Sequence, residues 1–270
     1  MVACERSPTT VTHTPDPSYM SLPAVPQSFY WTQTSAGTAL KCRPLEAVAP
    51  HLFTTRELRL SGDGGRRIRE ALHVDAVKTL KQVHGRDVVV VRGGCAPTEE
   101  IPDGDVLVSN DPATAVVVRA ADCVPLLLAD SATGAVAAVH AGWRGTAAGA
   151  AVAAVEALVR EFGSKPRDLV AALGPNIGAC CYQVGPELVD AFTASGHARH
   201  LIDRWFLSDG QQLQLDLSAA NRDQLLLAGV PDTQVHACGL CTAMHLDVLT
   251  SYRAEGEKAG RISGVIRAMV

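Results

Sequence analysis

The stretch from Arg119 to Thr146, RAADCVPLLLADSATGAVAAVHAGWRGT, restricts the fold more than any other part of the chain. It reads as two apolar strands, VPLLLAD and AVAAVH, joined by a turn at Ser131–Gly134. Each strand borders a polar cluster, Ala-Asp-Cys before the first and His-Ala-Gly-Trp-Arg-Gly after the second. A hairpin sets the start of its first strand beside the end of its second. Cys123 and His140 are therefore expected at one rim of a sheet despite their distance in sequence. A thiol and an imidazole meeting at a strand edge point to a metal or to a nucleophile with its base.

The rest of the chain must supply what surrounds this hairpin. Its 270 residues are 47% hydrophobic but only 4% aromatic, so the core is built mainly from Ala, Val and Leu. The formal net charge is −4, and Lys and Arg form no stripe, which argues against nucleic-acid binding and makes any cationic function local. The N-terminus lacks a basic leader followed by an apolar run, and no apolar segment is long enough to span a membrane. Eight cysteines in such a chain read as reduced thiols or ligands rather than disulfides, and a cytoplasmic protein is expected.

Residues 1–27, rich in Pro, Thr and Ser, are expected to be a disordered tail, and 28–270 to form one domain. FYWTQ and HLFTTRELRL read as early strands and RRIREALHV as a helix. AVKTLKQVHG is expected to be a strand ending at His84-Gly85, followed by strands in DVVVVRGG, DVLVSN and ATAVVVRAA. After the hairpin, TAAGAAVAAVEALVREFG predicts a helix capped by Thr146 and ended by Gly163 and Pro166. DLVAALGP is a strand running into a glycine-rich turn, and Pro186 should open PELVDAF at its first helical position. Residues 194–212 look irregular, LDLSAANRDQLLLAGV is a helix capped by Ser218, and MHLDVLTSYRAEG is helix-like. Strands outnumber helices and arrive in runs, which favours an α+β fold.

Three polar residues end or follow strands in the first half: His84, Cys123 and His140. Two imidazoles and a thiolate suit Zn²⁺, and three protein ligands leave a fourth position open, as in catalytic zinc sites. Their spacing alone is equally compatible with isolated core residues, because the three come from separate segments.

Further blocks narrow the choice. QVHG, ADC, VHAGWRG, GP-x-IG-x-CCY-x-V, a CT pair, a final S-x-R and GR follow one another in order over residues 48–267. In these blocks the chain resembles the YfiH family, also called the laccase-domain or multicopper polyphenol oxidase-like family, for which purine nucleoside phosphorylase is the better-supported description. The resemblance implies mixed β-sheets packed as a central sandwich flanked by helices. It implies one zinc ion on His84, Cys123 and His140, with copper a poorer candidate. It also implies phosphorolysis of adenosine, inosine, guanosine and methylthioadenosine by inorganic phosphate, with adenosine deamination, in a monomer or weak homo-oligomer.

The chemistry implied is compatible with the residues. Zinc lowers the pKa of a bound water toward ~7, which suits attack at purine C6. The zinc deaminases pair their metal with a Glu in an HxE signature, absent beside these ligands; Asp122, next to Cys123, is the candidate proton carrier, or else the cap of a turn. Phosphorolysis needs a grip on phosphate, for which an arginine fork is suited. Arg144, in the GWRG turn before a helix start, is the first candidate, and Arg56, in the FTTR block, the second; each could equally be a surface ion pair. Trp143 could stack on a purine or wedge helix against sheet. ELRLSGDGG after Arg56 is shorter than the loop usual in the family, which bears on how the pocket closes.

Other features weigh less. Cys238-Gly-Leu-Cys241 with His245 has the spacing of a second zinc site or a redox pair, although only Cys241 matches the family. Cys180-Cys181 reads as packing in a glycine turn, GPNIG as a turn rather than a phosphate cradle, and His197 and His200 as solvated. Three competing functions remain: a cysteine hydrolase with Cys123 as nucleophile and His140 as base, copper-dependent phenol oxidation, and a non-enzymatic role bearing on peptidoglycan precursor fidelity. A multicopper cluster needs more imidazoles than nine His, several in the tail or loops, can gather.

Overall fold

The computed structural model describes residues 22–58, 60, 62–94, 101–208, 210 and 212–269. β1 (Phe29–Thr34) turns back on β2 (Gly37–Cys42), a strand whose mixed GTALKC pattern hides its period. A short helix α1 (Arg43–Glu46) leads to β3 (His51–Thr54), and α2 (Gly64–Leu72) to β4 (Ala76–Lys78). β5 (Val88–Val91) lies parallel to β6 (Val106–Ser109), and β7 (Thr114–Ala120) precedes the central hairpin. Its strands, β8 (Val124–Asp130) and β9 (Val136–Ala141), pair with Val124 opposite Ala141 and Ala129 opposite Val136. The rim expected from sequence is therefore formed: Cys123 immediately precedes β8, and His140 faces Pro125.

The chain continues through α3 (Trp143–Ala148), α4 (Ala150–Phe162) and β10 (Leu169–Leu173). β11 (Gln183–Val184), α5 (Glu187–Ala194), α6 (Arg199–Trp205), β12 (Phe206–Ser208) and β13 (Leu213–Leu215) follow. α7 (Leu217–Leu227), β14 (Val235–Ala237), α8 (Tyr252–Glu255) and β15 (Ile262–Arg267) complete it. One six-stranded sheet has the order β1-β2-β3-β15-β7-β4, the other β14-β10-β8-β9-β6-β5, and a small sheet the order β11-β13-β12.

Period-two alternation divides the apolar residues among layers. Phe53, Val116, Val118 and Ile262 of the first sheet meet Leu107, Leu127, Ala138 and Ala172 of the second. The opposite face of the first sheet, with Leu52, Val117 and Val265, packs on Ile68 and Leu72 of α2. The opposite face of the second, with Val106, Leu126, Leu128 and Val139, packs on Ala154 and Leu158 of α4 and Leu225 of α7. The architecture is the α+β sandwich flanked by helices. Truncating Leu127 to Ala between the sheets would cost about 2–5 kcal/mol.

Several local expectations are corrected. The strand expected to reach His84 stops at Lys78, because the backbone N–H groups of residues 83–85 turn to a carboxylate instead of a ladder. The helix after the hairpin starts at Trp143 and is broken at Gly149 (φ +81°), so Thr146 lies inside it and accepts a hydrogen bond from Asn221 instead of capping. Pro186 is the N-cap of α5, not its first helical residue. The segment expected to be irregular holds α6 and β12, and within it the His197 ring bonds the Ala147 carbonyl at 2.8 Å against Phe192 and Trp205. Asp216, not Ser218, caps α7. MHLDVLTSYRAEG forms only a 3-10 turn and α8. Of the expected tail, residues 1–21 lie outside the described residues, while the Pro23 carbonyl accepts the indole N–H of Trp31 at 2.8 Å.

Candidate metal centre and its cavity

Asp105, fully buried just before β6, organises the site. Its carboxylate accepts the backbone N–H groups of Val83, His84 and Gly85 at 3.2, 3.0 and 2.6 Å. The same carboxylate bonds Nδ1 of His140 at 2.7 Å, and its carbonyl accepts the His140 N–H at 2.8 Å. One side chain thus holds both the loop that carries His84 and the ring that β9 delivers. His84 (φ +63°) and Asp122 (φ +88°) are two of three non-glycine residues with positive φ among the described residues, so backbone strain is concentrated beside the donor atoms.

The ligand-capable atoms of His84, Cys123 and His140 lie within 4.8 Å of one another. The two imidazoles meet edge to face, with centroids 4.9 Å apart. His140 is buried, Cys123 half-buried and His84 exposed, so the trio opens to solvent on one side. Gly142 makes room for it: a Cβ there would stand 2.7 Å from Cys123 Sγ and 3.2 Å from His84 Cδ2.

The electrostatics are coupled. Burial pushes the Cys123 thiol up, but hydrogen bonds from His140 and His84 and their charge outweigh it and bring it to about 7. Burial pushes His140 down, while Asp105 and the Cys123 sulfur raise it to about 9. Asp105 stays below the usual carboxylate range: burial would raise it, and His140 with the N–H groups of Gly85 and His84 prevails. Without metal, the sulfur and imidazole favour a thiolate–imidazolium pair. With Nδ1 on Asp105, His140 keeps Nε2 for a ligand, the carboxylate–histidine arrangement common behind metals.

The trio lines a cavity of about 1140 Å³. Six exposed cations, Lys81, Arg119, Arg144, Arg253, Lys258 and Arg261, share its wall. The Arg144 guanidinium lies over the Trp143 ring, 4.2 Å from its centroid. Arg56 is elsewhere: its guanidinium bonds the Leu246 carbonyl and Glu255 (2.9 Å), and it does not line the cavity. Asp122 does line the cavity, yet Oδ1 accepts from the Thr242 hydroxyl and Oδ2 from the Arg253 N–H, each at 2.6 Å. Sequence reasoning missed Asp105, for which DGD in a loop offers no signal. It also passed over Arg253 and Arg261 as site residues, although the S-x-R and GR blocks marked them.

Fold and site together define an α+β protein whose packed sheets present a two-imidazole, one-thiol donor set to a cationic cavity. Residues 64–269 match the model described as multi-copper polyphenol oxidoreductase laccase, and the chain belongs to that family. A purine nucleoside phosphorylase of Deinococcus radiodurans is 34% identical over 86% of this chain and 94% of its own. One of Bacteroides thetaiotaomicron is 39% identical over 60% of each chain. An adenosine deaminase, RL5, from an unknown prokaryotic organism is 37% identical over 60% of this chain and 62% of its own. Among solved structures, the hypothetical protein YfiH of Bacillus licheniformis superposes with a TM-score of 0.75 at 25% identity, covering 86% of this chain and 96% of that one. Among the described residues His84 and His140 are the only imidazoles in a metal-competent cluster.

Proposed function

We propose that the chain is a zinc-dependent purine nucleoside phosphorylase with adenosine deaminase activity in the same cavity. The observation that carries this reading is the joint presence of a two-imidazole, one-thiol donor set and six cations around about 1140 Å³. Pockets for one small ligand run to about 1,000 Å³, so this one has room for nucleoside and phosphate together.

The donor set fits zinc, a borderline-soft ion that accepts nitrogen and sulfur, and His84, Cys123 and His140 would hold it. When bound, it supplies Lewis-acid polarisation of a substrate atom or water. Asp105 fixes the tautomer and direction of His140 and the position of His84. Arg144, laid flat on Trp143 and with no carboxylate partner among the described residues, presents its fork to phosphate. Arg119, Arg253, Lys258 and Arg261 raise the local potential for the same anion. In phosphorolysis a phosphate oxygen bonds C1′ as the bond from C1′ to the purine nitrogen breaks, and the base leaves with the electron pair. Burial raises the Tyr182 phenol on the cavity wall to about 12, so it remains an un-ionised hydrogen-bond donor. Asp122, with both oxygens engaged, acts as a positioning residue that ties Thr242 and Arg253 to the start of β8.

Metal analysis followed by an inosine assay with and without phosphate tests the reading. Ribose-1-phosphate should form only with phosphate and be lost in Cys123→Ala together with the zinc. Zinc-loaded protein inert on every purine nucleoside would sink it.

A second reading, a cysteine hydrolase, has its own support in the line Cys123–His140–Asp105, which has the order nucleophile, base and orienting carboxylate. A second imidazole against the same sulfur is superfluous to a hydrolase and useful to a metal. Chelation separates the two: a phosphorylase loses activity and regains it with zinc, whereas a hydrolase survives chelation and is killed by iodoacetamide.

A further inference from the structure

We infer that Cys180, Cys181 and Cys241 form a second metal site, a three-thiolate site for a soft ion of the copper(I) type. The sequence brings two of these thiols together as neighbours in GPNIGACCYQVG and leaves the third in the distant CT pair. A parallel bridge between Asn176 and Cys241 joins the two segments: Asn176 N–H bonds the Leu240 carbonyl at 3.2 Å, and Thr242 N–H the Asn176 carbonyl at 3.0 Å. A 3-10 turn, Ala179–Cys181, then swings the adjacent pair toward Cys241. All three sulfurs lie within 4.8 Å of one another, with Cys180 and Cys181 Sγ 3.6 Å apart, and all three are free thiols.

Two details mark this as more than incidental packing. The Gly178 N–H donates to Cys241 Sγ at 3.2 Å, which favours the thiolate there. A side chain at residue 178 would also crowd the cluster, since a Cβ would stand 3.2 Å from Cys180 Sγ and 3.3 Å from Cys241 Cβ. Cys180 is exposed, Cys181 half-buried and Cys241 buried, giving an ion a route from solvent to an anchored sulfur. None of the three lines the cavity, so the site is distinct from the centre on His84, Cys123 and His140.

The donor set selects the ion. Thiolates without imidazole or carboxylate prefer soft cations, Cu(I) above all. Structural zinc takes four protein ligands, and among the described residues no fourth His, Cys, Asp or Glu joins this cluster. Binding forms three metal–sulfur bonds, releases to solvent each proton that the three sulfurs still carry and changes no oxidation state. The cluster that the spacing of Cys238, Cys241 and His245 allowed is not formed: Cys238 is buried in the sheet-to-sheet core, and Cys241 turns to the Cys180-Cys181 pair.

Anaerobic titration of the protein as purified with Cu(I), buffered by bathocuproine, tests this by thiolate-to-copper absorption and metal analysis. One Cu(I) per chain should enter without displacing the metal at the first centre. Cys180→Ser and Cys181→Ser should each lose that equivalent, and Cys123→Ser should keep it. X-ray absorption should show a sulfur-only shell. Absence of uptake, uptake retained in both serine variants, displacement of the first metal or a nitrogen shell would each overturn the proposal. Cys180 is exposed, so its serine variant leaves the fold intact, which a thermal melt checks.

Discussion

Two clusters of three donors, each set against a glycine, differ in what stands behind them. Behind His84, Cys123 and His140 is a buried carboxylate that fixes one ring and one loop. Behind Cys180, Cys181 and Cys241 stands backbone, the N–H groups of Gly178, Met244 and Ala243 on the Cys241 sulfur. The first cluster mixes nitrogen with sulfur and faces a cavity, so an ion held there would be within reach of a substrate. The second is all sulfur, and none of its three cysteines lines that cavity. Donor type decides which ion is held; the supporting shell decides whether the ion is positioned for chemistry.

Alanine at each glycine separates the two clusters most sharply. Gly142→Ala drives a methyl into Cys123 Sγ and should abolish zinc retention and turnover, while copper uptake persists; Gly178→Ala should weaken copper uptake and leave zinc content intact. Metal analysis of both variants reads this directly, and a Gly142→Ala protein with full zinc would erase the distinction. Next comes the carboxylate. Asp105→Asn should cost about 10–100-fold in zinc affinity or activity, with no effect on copper uptake. A smaller, more selective change is expected at the cavity wall: Arg144→Ala should raise the phosphate KM roughly tenfold with zinc content unchanged. Arg56→Ala marks the lower end. Its half-exposed pair with Glu255 is worth less than about 1 kcal/mol, so a melt should shift slightly and the phosphate KM not at all. A rise in KM there would return Arg56 to the phosphate site.

The hairpin was legible because its two strands are long, continuously apolar and separated by a clear turn, and pairing alone brought Cys123 and His140 to one edge. His84 was legible as a residue but not as a conformation, since its loop is shaped by Asp105 from a distant segment. β15 pairs with both β3 and β7 in the middle of a sheet although it is last in the chain, an order that no local pattern carries. The capping errors at Ser218 and Thr146 have different causes: Asp216 takes the Ala219 N–H ahead of Ser218, whereas the helix expected to begin at Thr146 begins at Trp143 and leaves Thr146 inside it.

By itself the sequence determined the class of fold, the central hairpin and the donor types at residues 84, 123 and 140. Alternation and residue chemistry are local properties, written in order along the chain. Tertiary structure alone decided that Asp105 would hold the site together. It also decided that Arg56 would be paired with Glu255 while Arg253 and Arg261 reached the cavity, and that Cys241 would leave Cys238 for Cys180 and Cys181. Each of these is a contact between segments far apart in sequence, chosen by which buried polar group must be satisfied and which space a glycine leaves open.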